Sequence, residues 1–210
     1  MSQRYQSHAF LGSHAPLSTL ACAGLLIMGS GRTAYALLIA GALVWVYALT
    51  VLVLTAAKPL LPVRGKGTLE IFTASFFGAF FLLLFSFFNP FLSMELTLLV
   101  LLAPVSCVAS KVCSRTGNLD SGPAVGRALL EGLLLGLLIL GLALIREPLG
   151  FGSLSVPGGP RGITLFFNYE GLYFPVKTAA VSSGALILLG YAVVLFRRCR
   201  GRYVHSEDAE

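Results

Sequence analysis

Four cysteines, Cys22, Cys107, Cys113 and Cys199, hold most of the chemistry this chain can offer. They form no CxxC pair and no spacing typical of a disulfide scaffold. Cys22 and Cys107 sit inside apolar runs, where a cysteine can act as a small hydrophobe or, as a thiolate, bind a metal. Two thiolates cannot complete an iron–sulfur or tetrahedral metal site, so a metal here demands a partner that supplies two more ligands. Glu131 lies early in a Leu-rich run, where a charge is costly and often functional. Its plainer reading is snorkelling, or pairing with Arg127 one turn earlier. Arg146-Glu147-Pro148 closes the same run, which on local pattern is an ordinary helix stop before a Pro/Gly-rich connector. Gly132 and Gly136 form a GxxxG helix-packing motif. Gly29-Ser30-Gly31 reads as a turn, because no strand precedes it to make a dinucleotide-binding loop.

The elements that must carry these residues follow from composition. Hydrophobic residues make up 56% of the chain and charged residues 11%, with a mean hydropathy of +0.85. Soluble domains carry about 25% charged residues. A bilayer can take up this much apolar side chain, and there every backbone polar group must be paired internally, so helices or a closed barrel are required. Long Leu-rich runs without period-2 alternation select helices. The fold class expected is all-α integral membrane, with spans near 16–28, 34–57, 69–88, 94–109, 125–145 and 176–196. Leu20-Ala21-Cys22 resembles a lipoprotein cleavage site, but His8, His14 and Pro16 interrupt the stretch before it and the apolar run continues past it. The first segment is therefore expected to stay as a span. Cys113 is expected at a membrane edge, and Cys199 as a free thiol in a basic tail.

Six spans segregate the basic residues. One side holds Arg4, Lys58, Arg64, Lys66, Lys111, Arg115, Arg127, Arg197, Arg198, Arg200 and Arg202, while the other holds Arg32, Arg146, Arg161 and Lys177. Both termini are thus expected in the cytoplasm: an N-terminal segment at 1–15, a membrane domain at 16–197, and a tail at 198–210. The net charge of +6 does not indicate nucleic acid, because the basic residues lie in connectors and a tail and not on one folded face. The membrane domain reads as two inverted three-helix repeats, 16–91 and 92–197, each opening with an interrupted helix, the first and the fourth, that carries one cysteine.

The six-span plan, "LSTLACAGLLIMGS" around Cys22, "LLVLLAPVSCVAS" around Cys107, and "LILGLALIREPLGFGSLSVPGG" around Arg146-Glu147 together resemble one family. They look like the small membrane subunits of the Rnf and Nqr ion-translocating electron-transport complexes, closest to the Rnf E and Nqr D type. The resemblance runs from about Pro16 to Phe196. It departs from the family at Ala23, where a proline is usual, and at Ser106, where an asparagine is usual. Glu131-Gly132 also stands about one turn nearer the Arg-Glu pair. The resemblance implies a bacterial inner-membrane protein with Cys22 and Cys107 as iron ligands of a 2Fe–2S centre shared with a sister subunit of the Rnf A or Nqr E type. It further implies an electron relay coupled to Na⁺ or H⁺ movement, alongside other subunits that carry flavin or iron–sulfur groups. Glu131, Arg146 and Glu147 are further candidates for a functional role. No flavin or nucleotide motif occurs in this chain, so it is expected to be non-catalytic alone. Two other readings fit the same residues: a stand-alone secondary transporter with inverted repeats, and a metal-free membrane scaffold.

Overall fold

The computed structural model describes residues 20–58, 66–110, 121–158, 163–168, 181, 183–191 and 194. Cys113, Cys199, the segments 1–15 and 198–210, and the connector cations Arg64, Lys111, Arg115, Arg161 and Lys177 lie outside the described residues. The helices are α1 (Leu20–Gly29), α2 (Thr33–Ala56), α3 (Lys66–Phe88), α4 (Pro90–Ala109) and α5 (Ser121–Phe151), followed by two strands, β1 (Ser153–Pro157) and β2 (Ile163–Asn168). Residues 183–191 are also helical and form α6. Helix thus occurs within each of the six expected spans. Among the described residues, α2, α3, α4 and Gly122–Phe151 of α5 are long and apolar enough to cross a membrane. The described part of α1, Leu20–Gly29, is about 15 Å long.

Helix α2 is the axis of the molecule and packs on α3, α4, α5 and β1, most extensively on α5. The GxxxG pair sets that contact. A Cβ on Gly136 would stand 2.8 Å from Cβ of Ala40, and one on Gly132 would stand 3.3 Å from Cα of Val44. These glycines let the two backbones approach as the motif predicts. The pairs Gly132–Val44 and Gly136–Ala40 also show that α2 and α5 run antiparallel. Of these four spans α3 is the least buried, with 17% of its most apolar window buried against 39–44% for the other three. Phe72, Phe76, Phe80, Leu83 and Phe87 project from it, the large apolar surface expected of a lipid-facing helix.

The α3–α4 boundary falls where the sequence places it. Asn89 is extended and its side chain accepts a hydrogen bond from the Leu92 N–H at 3.3 Å, while Pro90 opens α4. Proline fits at a first helical position, where no N–H is needed. Three expectations are corrected. First, α4 is not interrupted: it continues through Pro104, whose ring packs against α3 where only glycine fits, since a Cβ on Gly78 would lie 2.7 Å from Pro104 Cγ. Second, Arg146-Glu147-Pro148 does not close the fifth helix, which runs on to Phe151. The stop is Gly152, at φ 64°, whose N–H donates to the Pro148 carbonyl at 3.0 Å. Third, the connector is not a plain loop. β1 and β2 pair antiparallel, Ser153 opposite Asn168 and Pro157 opposite Ile163, with a register shift between Leu154 and Ser155. Alternating Ser and apolar residues in 153–156 and the β-branched Ile163 and Thr164 suit a pleated ribbon.

Candidate functional site

Cys107 is a free thiol, 0% exposed, in the core of the bundle on α4. It belongs to the buried apolar cluster. The Ser106 hydroxyl donates to the Ala103 carbonyl at 2.7 Å and the Ser110 hydroxyl to the Cys107 carbonyl at 2.8 Å. The Tyr47 hydroxyl lies 3.5 Å from Ser106 Oγ. Cys22 is on α1, and its side chain is outside the described part of the structure. The two cysteine-bearing helices pack against one another. Glu131 is buried on α5, one residue from the Gly132 that seats against Tyr47 on α2. Arg127 is exposed on the same helix.

The best-defined polar constellation is at the other end of α5. Arg146 is 5% and Glu147 1% exposed. Arg146 Nη1 donates to the Ile27 carbonyl at 2.9 Å and to Ser30 Oγ at 3.2 Å. One Glu147 carboxylate oxygen accepts from the Thr33 N–H at 2.7 Å and from the Thr33 hydroxyl at 2.6 Å. The Thr33 hydroxyl also meets the Ser155 carbonyl, and Ser155 Oγ accepts from the Ala34 N–H at 3.4 Å. The reason is visible at the helix ends. Neither α1 nor α2 has a basic residue in its last turn or an acidic one in its first, and Arg32, the residue before α2, provides no side-chain cap. Orphan carbonyls and N–H groups at buried helix ends must find partners. Arg146 serves the carbonyl end of α1 and Glu147 the N–H end of α2, each with the sign that the helix dipole favours. Beside them, the Arg32 guanidinium sits 5.9 Å above the Phe151 ring.

Sequence reasoning singled out Arg146 and Glu147 but missed Thr33 and Ser30, which meet them from far along the chain, and Ser155, which joins the site through Thr33 and Ala34. The one available signal was an adjacent pair of opposite charges in an apolar run beside two helix ends without local caps. It also missed Glu95, which accepts a hydrogen bond from the Tyr35 hydroxyl and joins α4 to α2.

No protein-family model matches the chain, and no curated protein matches it. What the site can do therefore rests on its own chemistry. For an iron–sulfur centre, one described thiol could serve as a ligand. Cys107 offers one sheltered thiol, and α4 packs on the helix that bears Cys22. Among the described residues, no three of His, Cys, Asp or Glu gather together, so the remaining ligands would come from beyond them.

Proposed function

We propose that this chain is a membrane subunit of an ion-translocating electron-transport complex of the Rnf/Nqr kind. In this reading, Cys22 and Cys107 provide two thiolates to an intramembrane 2Fe–2S centre, and a sister subunit of the Rnf A or Nqr E type provides two more. The observation that carries it is the packing of α1, with Cys22, against α4, with the free and buried Cys107. When bound, such a centre supplies one-electron transfer, at a potential set by ligands, charge and burial. The chain's own part is to hold Cys107 on a continuous helix within an apolar sheath, which excludes water and lowers the local dielectric. Because Cys107 is fully covered in the isolated chain, a partner's thiolates could share its iron only if that cover opens in the complex.

The same reading includes the finer architecture: two inverted repeats, termini in the bacterial cytoplasm, and movement of Na⁺ or H⁺ through two conformations of different accessibility. The hydroxyls of the spans weigh against a stand-alone transporter. Thr55, Thr73, Ser86, Ser93, Thr97, Ser106 and Ser110 all donate to carbonyls of their own helices. The test is anaerobic co-purification with the sister subunit, followed by iron and acid-labile sulfide analysis of wild type, Cys22→Ser and Cys107→Ser. Iron and sulfide in the wild-type pair, lost in either variant, are expected. An intact pair without iron would overturn the reading and favour the metal-free scaffold.

A further inference from the structure

Helix α1 ends at Gly29, and only Ser30, Gly31 and Arg32 separate it from α2, so the buried backbone groups at this turn need partners. Where packing excludes water, the last carbonyls of α1 need partners from the protein itself. In this fold, the hold comes from one dipeptide on α5. Arg146 grips the Ile27 carbonyl and Ser30 Oγ just where α1 ends. Glu147 grips Thr33 by N–H and hydroxyl just where α2 begins. The Ser30 hydroxyl closes the turn by donating to the Ile27 carbonyl at 3.3 Å, and the Gly31 N–H donates to the Met28 carbonyl at 3.3 Å. Packing fixes the same point. A Cβ on Gly29, the last residue of α1, would stand 3.1 Å from Ile39 Cδ1 and 3.4 Å from Ile139 Cγ2, so α1 ends wedged between α2 and α5.

We propose that Arg146 and Glu147 are positioning residues that seat α1 on α4 and so fix the depth of Cys22 in the membrane relative to Cys107. Cys22 precedes Ile27 by five residues, which on a helix places its backbone about 7.5 Å from the gripped carbonyl along the axis. At that distance, a small tilt or slide of α1 at the clamp moves Cys22 directly. The proposal rests on the iron–sulfur reading only for the purpose of the seating; the seating itself needs no metal.

The test uses the full chain in membranes, with Cys113→Ser and Cys199→Ser so that only Cys22 and Cys107 react. Alkylation of each thiol by a membrane-permeant maleimide is followed over time by peptide mass spectrometry. Wild type should keep Cys107 slow. Arg146→Gln and Glu147→Gln should raise the alkylation rate of Cys107 at least tenfold, with helix content and elution volume unchanged, and Arg146→Lys, which keeps the positive charge at the carbonyl end of α1, should restore it. Should either Gln variant not fold, Ser30→Ala carries the test, with a rise of at least threefold expected from loss of one Arg146 acceptor. Rates in folded Gln variants that stay below tenfold, or a Ser30→Ala rate below threefold where that variant decides, overturn the proposal. Iron analysis of the wild-type pair is scored separately. A pair without iron and with a working clamp overturns only the electron-transfer reading. A pair with iron and no response to the clamp variants overturns only the positioning role.

Discussion

Thr50 is 0% exposed on α2, and its hydroxyl has no hydrogen-bond partner among the described residues. A buried hydroxyl left in this state costs desolvation that nothing returns, whereas valine keeps its shape. Thr50→Val should therefore stabilise the fold by about 1 kcal/mol, read as a higher Tm in detergent from the fluorescence of Trp45, the chain's only tryptophan. Glu147 lies at the opposite extreme, with a carboxylate oxygen held by two donors at 2.6–2.7 Å. Glu147→Ala removes the acceptor for a buried N–H at a helix start, and a loss of about 2–3 kcal/mol is expected in the same melt. These two residues show how unevenly side-chain roles can be read from a sequence. That Cys107 and Glu131 would lie in a bundle was legible, because both sit in runs too apolar to be elsewhere. The grip of Glu147 on Thr33 was not, because it joins positions 114 residues apart and local pattern carries no information about that distance.

At the level of elements, two glycines on α5 separate packing from propensity. A Cβ on Gly136 would collide with Ala40, whereas one on Gly141 would meet nothing within 4 Å. Gly136→Val should force α2 and α5 apart and cost about 2–3 kcal/mol, while Gly141→Ala should be neutral or gain up to about 1 kcal/mol from helix propensity. Equal effects in the melt would mean that the α2–α5 contact is not where the structure has it. A second pair tests the uninterrupted α4. Gly78→Ala should destabilise by about 1–3 kcal/mol through its clash with Pro104, and adding Pro104→Ala should recover most of that loss, a coupling that a double-mutant cycle measures. Helix positions were legible in the sequence because uninterrupted apolar runs permit little else in a bilayer. The continuity of α4 and α5 was not, since a proline is read locally as a stop. Pro104 instead uses a glycine groove on a neighbouring helix, and at Pro148 the stop is supplied by Gly152. The β1–β2 ribbon was hidden by the glycines and prolines around it, which read as loop.

For the whole molecule, the clamp changes how the charge distribution is read. Arg32 and Arg146 lie at the end of the bundle where α2 begins and β1 packs. Yet Arg146 is buried and bonded into the α1–α2 turn, and Arg32 lies over Phe151, so neither is a freely solvated cation. At the other end, about 36 Å away along the 24 residues of α2, Lys58 and Lys66 are exposed. The antiparallel start of α5 brings exposed Arg127 to the same end. Solvated lysines and arginines near span ends are retained in the cytoplasm, so among the described residues the bias is steeper than a residue count suggests. On the proposed orientation, the β1–β2 ribbon is expected outside and the α2–α3 connection in the cytoplasm. A chain with Cys22, Cys107, Cys113 and Cys199 replaced by alanine supplies the background for the test, with Thr164→Cys or Lys66→Cys added singly at exposed positions. In intact cells, a membrane-impermeant maleimide should label Thr164→Cys at once and Lys66→Cys only after permeabilisation. The reverse pattern would turn the protein over in the membrane and place the clamp on the cytoplasmic side. Equal labelling at both sites would mean that the ribbon and the α2–α3 connection do not lie on opposite faces, which the antiparallel packing of α2 on α5 forbids.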